Sequence, residues 1–206
     1  MLDTELIPSA DAASRRLMVV LHGLGDSMEG YRWLPEALRL PRLNYLLVNA
    51  PDPYYGGFAW YDLYDNPGTG IERSRALLFQ LLDRLRAKNF PAEETIVFGF
   101  SQGCLMSMEI GARYPHRLAG IVGISGYVHQ PETMTREFSP VAREQRFLIT
   151  HGAQDTLIPM QKARLQFEML QKASLQIVWK EFAKGHTIAG EAEISVIREF
   201  VRERYV

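Results

Sequence analysis

The sequence holds a single cysteine, Cys104, among its 206 residues. That excludes an internal disulfide and any metal site built from several cysteines. Cys104 falls on the apolar side of a helical stretch and reads as a small buried hydrophobe rather than a reactive thiol. Neither sign of charge is in surplus: 23 Lys and Arg stand against 24 Asp and Glu, for a net charge of -1. No broad field therefore favours nucleic acid or an anionic surface. Apolar runs such as Leu17-Met18-Val19-Val20-Leu21 have strand length and fall far short of a membrane span. The opening MLDTELIPSADAASRR puts acids ahead of any base and has no apolar signal core, so it predicts a cytoplasmic protein without stable membrane insertion. No repeat, low-complexity tract or charge block marks a linker, and the length suits one domain over residues 1–206.

What is present is an alternation of short β-rich runs and helical patterns. The runs are Leu17–His22, Asn44–Asn49, Thr95–Phe100, Leu118–Ser125, Arg146–His151 and Leu175–Phe182. Helical spacing marks Tyr31–Leu38, Gly70–Lys88, Gln102–Arg113, Met160–Lys172 and Gly190–Arg204. The β-rich runs are apolar at nearly every position, which suits strands covered on both faces. The expectation is an α/β fold with a mostly parallel sheet, flanked by helices on both faces through right-handed crossovers. Thr4–Pro8 would add an antiparallel edge. About twenty residues separate Ser125 from Arg146, room for a short helix and no separate cap domain.

In such sheets ligands gather where the strands end, and four runs end in polar or glycine-rich motifs: LHGLGD (Leu21–Asp26), GFSQG (Gly99–Gly103), HGAQDTLIP (His151–Pro159) and AKGHT (Ala183–Thr187). GFSQG fits G-x-S-x-G, in which a serine sits on a sharp strand-to-helix turn and glycines two positions away on either side relieve the crowding. A serine hydroxyl needs a base within hydrogen-bond reach and an acid to orient that base. In the order Ser, acid, His, Ser101 is the expected nucleophile, His186 the base and Asp155 the acid. His116 follows a helix end, His129 lies in a polar loop, and His151 closes a strand where it supports the turn. Asp62 and Asp65 precede the serine, and Glu181 lies within a strand. An oxyanion also needs donors. These are expected from the backbone N–H groups of Gln102, after the nucleophile, and Leu24, in the glycine-flanked HGLGD loop, where Asp26 caps the following helix.

Together LHGLGD, GFSQG, HGAQDTLIP and KGH resemble the phospholipase/carboxylesterase branch of the α/β-hydrolases, which includes acyl-protein thioesterases. The resemblance runs from about Leu17 to Phe200. It implies the α/β-hydrolase fold, Ser101, Asp155 and His186 as triad, and backbone donors at Leu24 and Gln102. AWYDLYD (Ala59–Asp65) resembles a tryptophan-bearing segment beside the acyl site. The implied function is a serine hydrolase that cleaves carboxylic esters, thioesters or lysophospholipids through an acyl-enzyme, with no metal and no cofactor. The expected partner is a small acyl ester or thioester. A non-catalytic binding protein on the same fold, and a lyase, peroxidase or lactonase use of the same triad, are the alternatives. The sequence leaves the oligomeric state and the physiological acyl group open.

Between Ala50 and Gly70 stand Tyr54, Tyr55, Phe58, Trp60, Tyr61 and Tyr64. Aromatic rings supply apolar area with few rotamers to freeze, and this segment leaves a strand where the triad would assemble. Phe58 or Trp60 is expected to wall the acyl chain.

Overall fold

The computed structural model describes residues 1–205 and is built on one seven-stranded sheet. Its strands are β1 (Thr4–Ile7), β2 (Leu17–Leu21), β3 (Asn44–Val48), β6 (Thr95–Phe100), β7 (Gly120–Ile124), β8 (Arg146–Gly152) and β9 (Gln176–Phe182), in the order β1-β3-β2-β6-β7-β8-β9. Only β1 runs antiparallel, pairing with β3 from Thr4 opposite Val48 to Ile7 opposite Tyr45. The other pairings are parallel. This is the α/β-hydrolase fold.

The continuous apolar runs follow from burial on both faces. In β2, Leu17, Val19 and Leu21 join one core cluster, while Met18 and Val20 join the other. The first cluster is closed by helices α2 (Pro67–Ala87), α3 (Gln102–Arg113) and α5 (Met160–Lys172), and the second by α1 (Leu34–Leu38) and α6 (Glu191–Glu203). Helix α2 buries Ile71, Ser74, Leu78, Leu81, Leu82 and Leu85, the three- and four-residue spacing of a one-sided helix. Helix α3 is different. Every residue from Gln102 to Ala112 is buried, so it is packed on all sides, and the buried carboxylate of Glu109 is paired with Arg75 and Arg113.

Proline opens α2 and α4 (Pro131–Arg136), and in both it follows a residue in the left-handed region, Asn66 and Gln130. A fixed φ and a missing N–H cost nothing at that position. Helix α4 and a single 3₁₀ turn at Ala142–Glu144 are the regular structure between β7 and β8. The aromatic segment contains a two-stranded hairpin, β4 (Asp52–Tyr54) and β5 (Gly57–Ala59). Its residue Phe58 pairs with Asp26, which ties the hairpin to the end of β2.

Candidate active site

Ser101 sits between β6 and α3 with φ 54° and ψ -114°, a region costly for any residue with a side chain, on the order of 1–3 kcal/mol. The surroundings hold it there. Its N–H donates to the Ile124 carbonyl at 2.9 Å, and its carbonyl accepts from Leu105 N–H at 3.2 Å. The flanking glycines are required by close approach. A Cβ on Gly99 would lie 2.1 Å from the Gly103 carbonyl oxygen, and one on Gly103 would lie 2.1 Å from that of Leu21.

Three strand ends bring the remaining groups to this turn. His186 Nε2 lies 2.9 Å from Ser101 Oγ, and His186 Nδ1 lies 2.7 Å from Asp155 Oδ2. The second carboxylate oxygen of Asp155 accepts N–H bonds from Leu157 (3.0 Å) and Ile158 (2.9 Å). One oxygen is thus anchored to the backbone and the other is aimed at the imidazole. Asp62 instead accepts N–H bonds from Tyr64 and Asp65, and Glu181 pairs with Arg164 and Trp179. His151 supports the Asp155 turn by donating from Nε2 to the Ile158 carbonyl at 2.9 Å.

The loop carrying His186 is held by a buried ion pair. Lys184 Nζ lies 2.6 and 2.8 Å from the two carboxylate oxygens of Glu193, and Ala189 N–H donates to the same carboxylate at 2.6 Å. Both side chains are buried, so Glu193 fixes the loop on either side of the histidine. Removing one partner of such a pair strands the other charge.

The two expected oxyanion donors, the N–H groups of Leu24 and Gln102, have no protein acceptor among the described residues, and both residues line the cavity that contains Ser101. Each is oriented by a side chain, His22 for the first and Gln102 for the second. His22 Nδ1 lies 2.6 Å from the Gly23 carbonyl oxygen, while its Nε2 accepts from Ala50 N–H at 3.0 Å. A peptide carbonyl and the next N–H point in opposite directions, so drawing the Gly23 carbonyl toward His22 turns the Leu24 N–H away from it. The Gln102 side chain accepts from Trp60 N–H and donates to the Tyr61 carbonyl, both at 2.9 Å, which ties the start of α3 to the hairpin exit.

His22 and His151 are fully buried, and burial lowers the pKa of both below the ordinary histidine value. His22 must also stay neutral for Nε2 to accept from Ala50. The unfolded chain therefore binds more protons than the folded one below about pH 6.5, and stability falls as pH falls through that value. Urea midpoints measured from pH 7 to pH 5 should show a loss approaching ~1.4 kcal/mol per pH unit for each group. A His151→Gln variant should have a shallower slope. An unchanged slope would mean that His151 is not held neutral.

The cavity over Ser101 has a volume of about 650 Å³ and is lined on its apolar side by Tyr61, Leu63, Tyr64, Tyr127, Leu157 and Ile158. Phe58 and Trp60, expected to form this wall, are not in it. Trp60 is fully buried and donates from its indole to the His22 carbonyl at 2.9 Å. Phe58 packs against the His22 ring at 6.3 Å between centroids. The hairpin turns both rings inward to support the strand end, and the chain that follows supplies the wall. Tyr127 joins the wall from beyond β7, outside the aromatic segment, where no local pattern marks it; its hydroxyl lies 2.9 Å from that of Tyr61. Cys104 is buried against Gly123 and Gly126, and burial pushes its thiol pKa up to about 12. Among the described residues no group of three or more His, Cys, Asp or Glu is placed to hold a metal ion, and no helix is long and apolar enough to cross a membrane.

The family model for Phospholipase/Carboxylesterase matches residues 2–204. Acyl-protein thioesterase 1 of Schizosaccharomyces pombe is 32% identical over 167 residues, covering 75% of each chain. Acyl-protein thioesterase 1 of Yarrowia lipolytica is 26% identical over 213 residues, covering 94% of each. Among solved structures, esterase PE8 superposes with a TM-score of 0.87 at 27% identity, covering 98% of each chain.

Proposed function

This chain belongs to the phospholipase/carboxylesterase family, and from that premise we propose that it hydrolyses carboxylic esters or thioesters through an acyl-enzyme on Ser101. The observation that carries the reading is the unbroken line from Asp155 through His186 to Ser101, opening on a cavity lined by Leu24 and Gln102. Ser101 Oγ attacks the acyl carbonyl as His186 Nε2 takes its proton. The carbonyl oxygen, now an anion, accepts from the Leu24 and Gln102 N–H groups, each donor worth on the order of 3 kcal/mol. The tetrahedral intermediate collapses, the leaving alcohol or thiol takes the proton from His186, and the acyl group stays on Ser101. Water then attacks by the same route, with His186 as base, and releases the acid. Asp155 holds the imidazole with Nδ1 protonated and offsets the charge it gains.

The acyl chain runs along Tyr61, Leu63 and Tyr127. A series of p-nitrophenyl esters from acetate to palmitate, with a thioester beside it, tests this. Efficiency should rise with chain length until the wall is covered. Leu63→Ala should weaken kcat/KM more for octanoate than for acetate, by up to ~0.8 kcal/mol per methylene that loses its cover. Trp60→Ala should instead lower stability by about 3–5 kcal/mol and change both esters alike. Equal losses for the two esters in Leu63→Ala would remove that residue from the acyl wall. Turnover of none of the esters would favour a binding protein on this fold.

A further inference from the structure

A second cavity, about 400 Å³, also borders His186. It shares Asp26, Phe100 and His186 with the first but includes neither Ser101 nor the two oxyanion donors. If Ser101 is acylated as described above, the acyl chain and the carbonyl oxygen occupy the first cavity. The leaving heteroatom must then face His186, which hands it the proton. We propose that the second cavity holds the leaving half of the substrate and selects alcohols or thiols that carry a cationic group, such as a quaternary ammonium. The reaction itself is unchanged: the bond from the acyl carbon to the leaving heteroatom breaks, and that heteroatom takes the proton from His186 Nε2.

The walls carry this choice. Tyr31, Trp33, Phe100, Ile188 and Ile194 supply aromatic and apolar surface. Asp26 is the one Asp, Glu, Lys or Arg among the described residues that line the cavity. Its carboxylate accepts Ser27 N–H at 2.7 Å, and it has no salt-bridge partner among the described residues. The nearby Arg32 is engaged by Glu5 and Glu29. The Asp26 backbone is fixed, since its carbonyl accepts Phe58 N–H at 2.9 Å and its N–H donates to Gly23 at 3.3 Å. Trp33 is held by its indole N–H, which donates to the Gly30 carbonyl at 2.8 Å, and it stacks on Tyr31 while 40% of it stays exposed. A fixed aromatic face beside an unpaired carboxylate attracts a cation both through the ring quadrupole and through charge. Neither attraction acts on a neutral group of the same shape.

The test compares the choline ester of one carboxylic acid with its 3,3-dimethylbutyl ester, in which carbon replaces the quaternary nitrogen. With the purified protein the choline ester should have the higher kcat/KM, by about five- to twentyfold at low salt. Asp26→Asn should cut that ratio severalfold, and so should Trp33→Leu. As a check independent of the variants, choline should inhibit p-nitrophenyl ester hydrolysis at lower concentration than 3,3-dimethylbutanol does. A choline ester turned over no faster than its neutral twin, or a ratio unmoved by Asp26→Asn, would overturn the proposal. In either case continued Ser101-dependent hydrolysis of p-nitrophenyl esters would leave the esterase reading standing. Loss of all Ser101-dependent turnover would instead remove that reading.

Discussion

Replacing Ser101 by alanine is expected to lower kcat by about 10⁵- to 10⁶-fold, with the fold retained. The side chain makes a single hydrogen bond, to His186 Nε2 at 2.9 Å, so its loss leaves no buried donor stranded. The residual rate would come from the Leu24 and Gln102 donors and from binding alone. A companion variant separates chemistry from backbone strain. Ser101→Gly should be equally inactive yet about 1 kcal/mol more stable than the alanine variant, because glycine adopts φ 54° without the clash of a Cβ. Circular dichroism melts and steady-state kinetics on the two variants check both halves. An alanine variant retaining a tenth of the wild-type rate would mean that another group attacks the ester.

Asp155→Asn should lower kcat by about 10⁴-fold with little change in KM, for a reason visible in the anchoring of the carboxylate. One oxygen accepts from the Leu157 and Ile158 N–H groups, so the amide oxygen of asparagine must take that place. Its NH₂ then faces His186 Nδ1, where the aspartate oxygen accepted a bond at 2.7 Å. A donor meeting a donor forces the tautomer with Nε2 protonated, and that nitrogen cannot take the Ser101 proton. The effect should therefore appear in kcat, and labelling by an organophosphonate should slow in parallel. A mild effect here beside a severe one in Asp62→Asn would reassign the acid.

The parts of this molecule legible in its sequence are those whose signal is local. The β-rich runs gave themselves away because both faces of β2, β6 and β7 are covered, which leaves no polar alternation. Ser101, Asp155 and His186 follow strand ends on short segments, so chain order and strand counting were enough to place them near one edge. The hairpin β4–β5 had no such signal. Each strand is three residues long, and the pairing of Phe58 with Asp26 spans the intervening β3 and α1. Once that contact is made, Trp60 is carried against the His22 carbonyl, and the wall falls to residues that follow it, Tyr61, Leu63 and Tyr64. Lys184 and Glu193 escaped for a related reason. An acid in the first turn of α6 reads as a helix-dipole partner, and only the folded loop shows that it reaches back across His186. The early helix differs in detail from the spacing at Tyr31–Leu38: a 3₁₀ turn over Met28–Tyr31 precedes α1, which begins at Leu34.

The central claim is that Ser101 carries the acyl group, and intact-mass spectrometry followed by peptide mapping tests it most directly. Incubation with a fluorophosphonate, or brief acid quenching during turnover of a p-nitrophenyl ester, should add one adduct per chain. That adduct should map to the peptide containing Gly99-Phe100-Ser101-Gln102-Gly103 and be absent from Ser101→Ala. A stoichiometric adduct on any other residue, or full turnover with no covalent species in either experiment, would contradict the account.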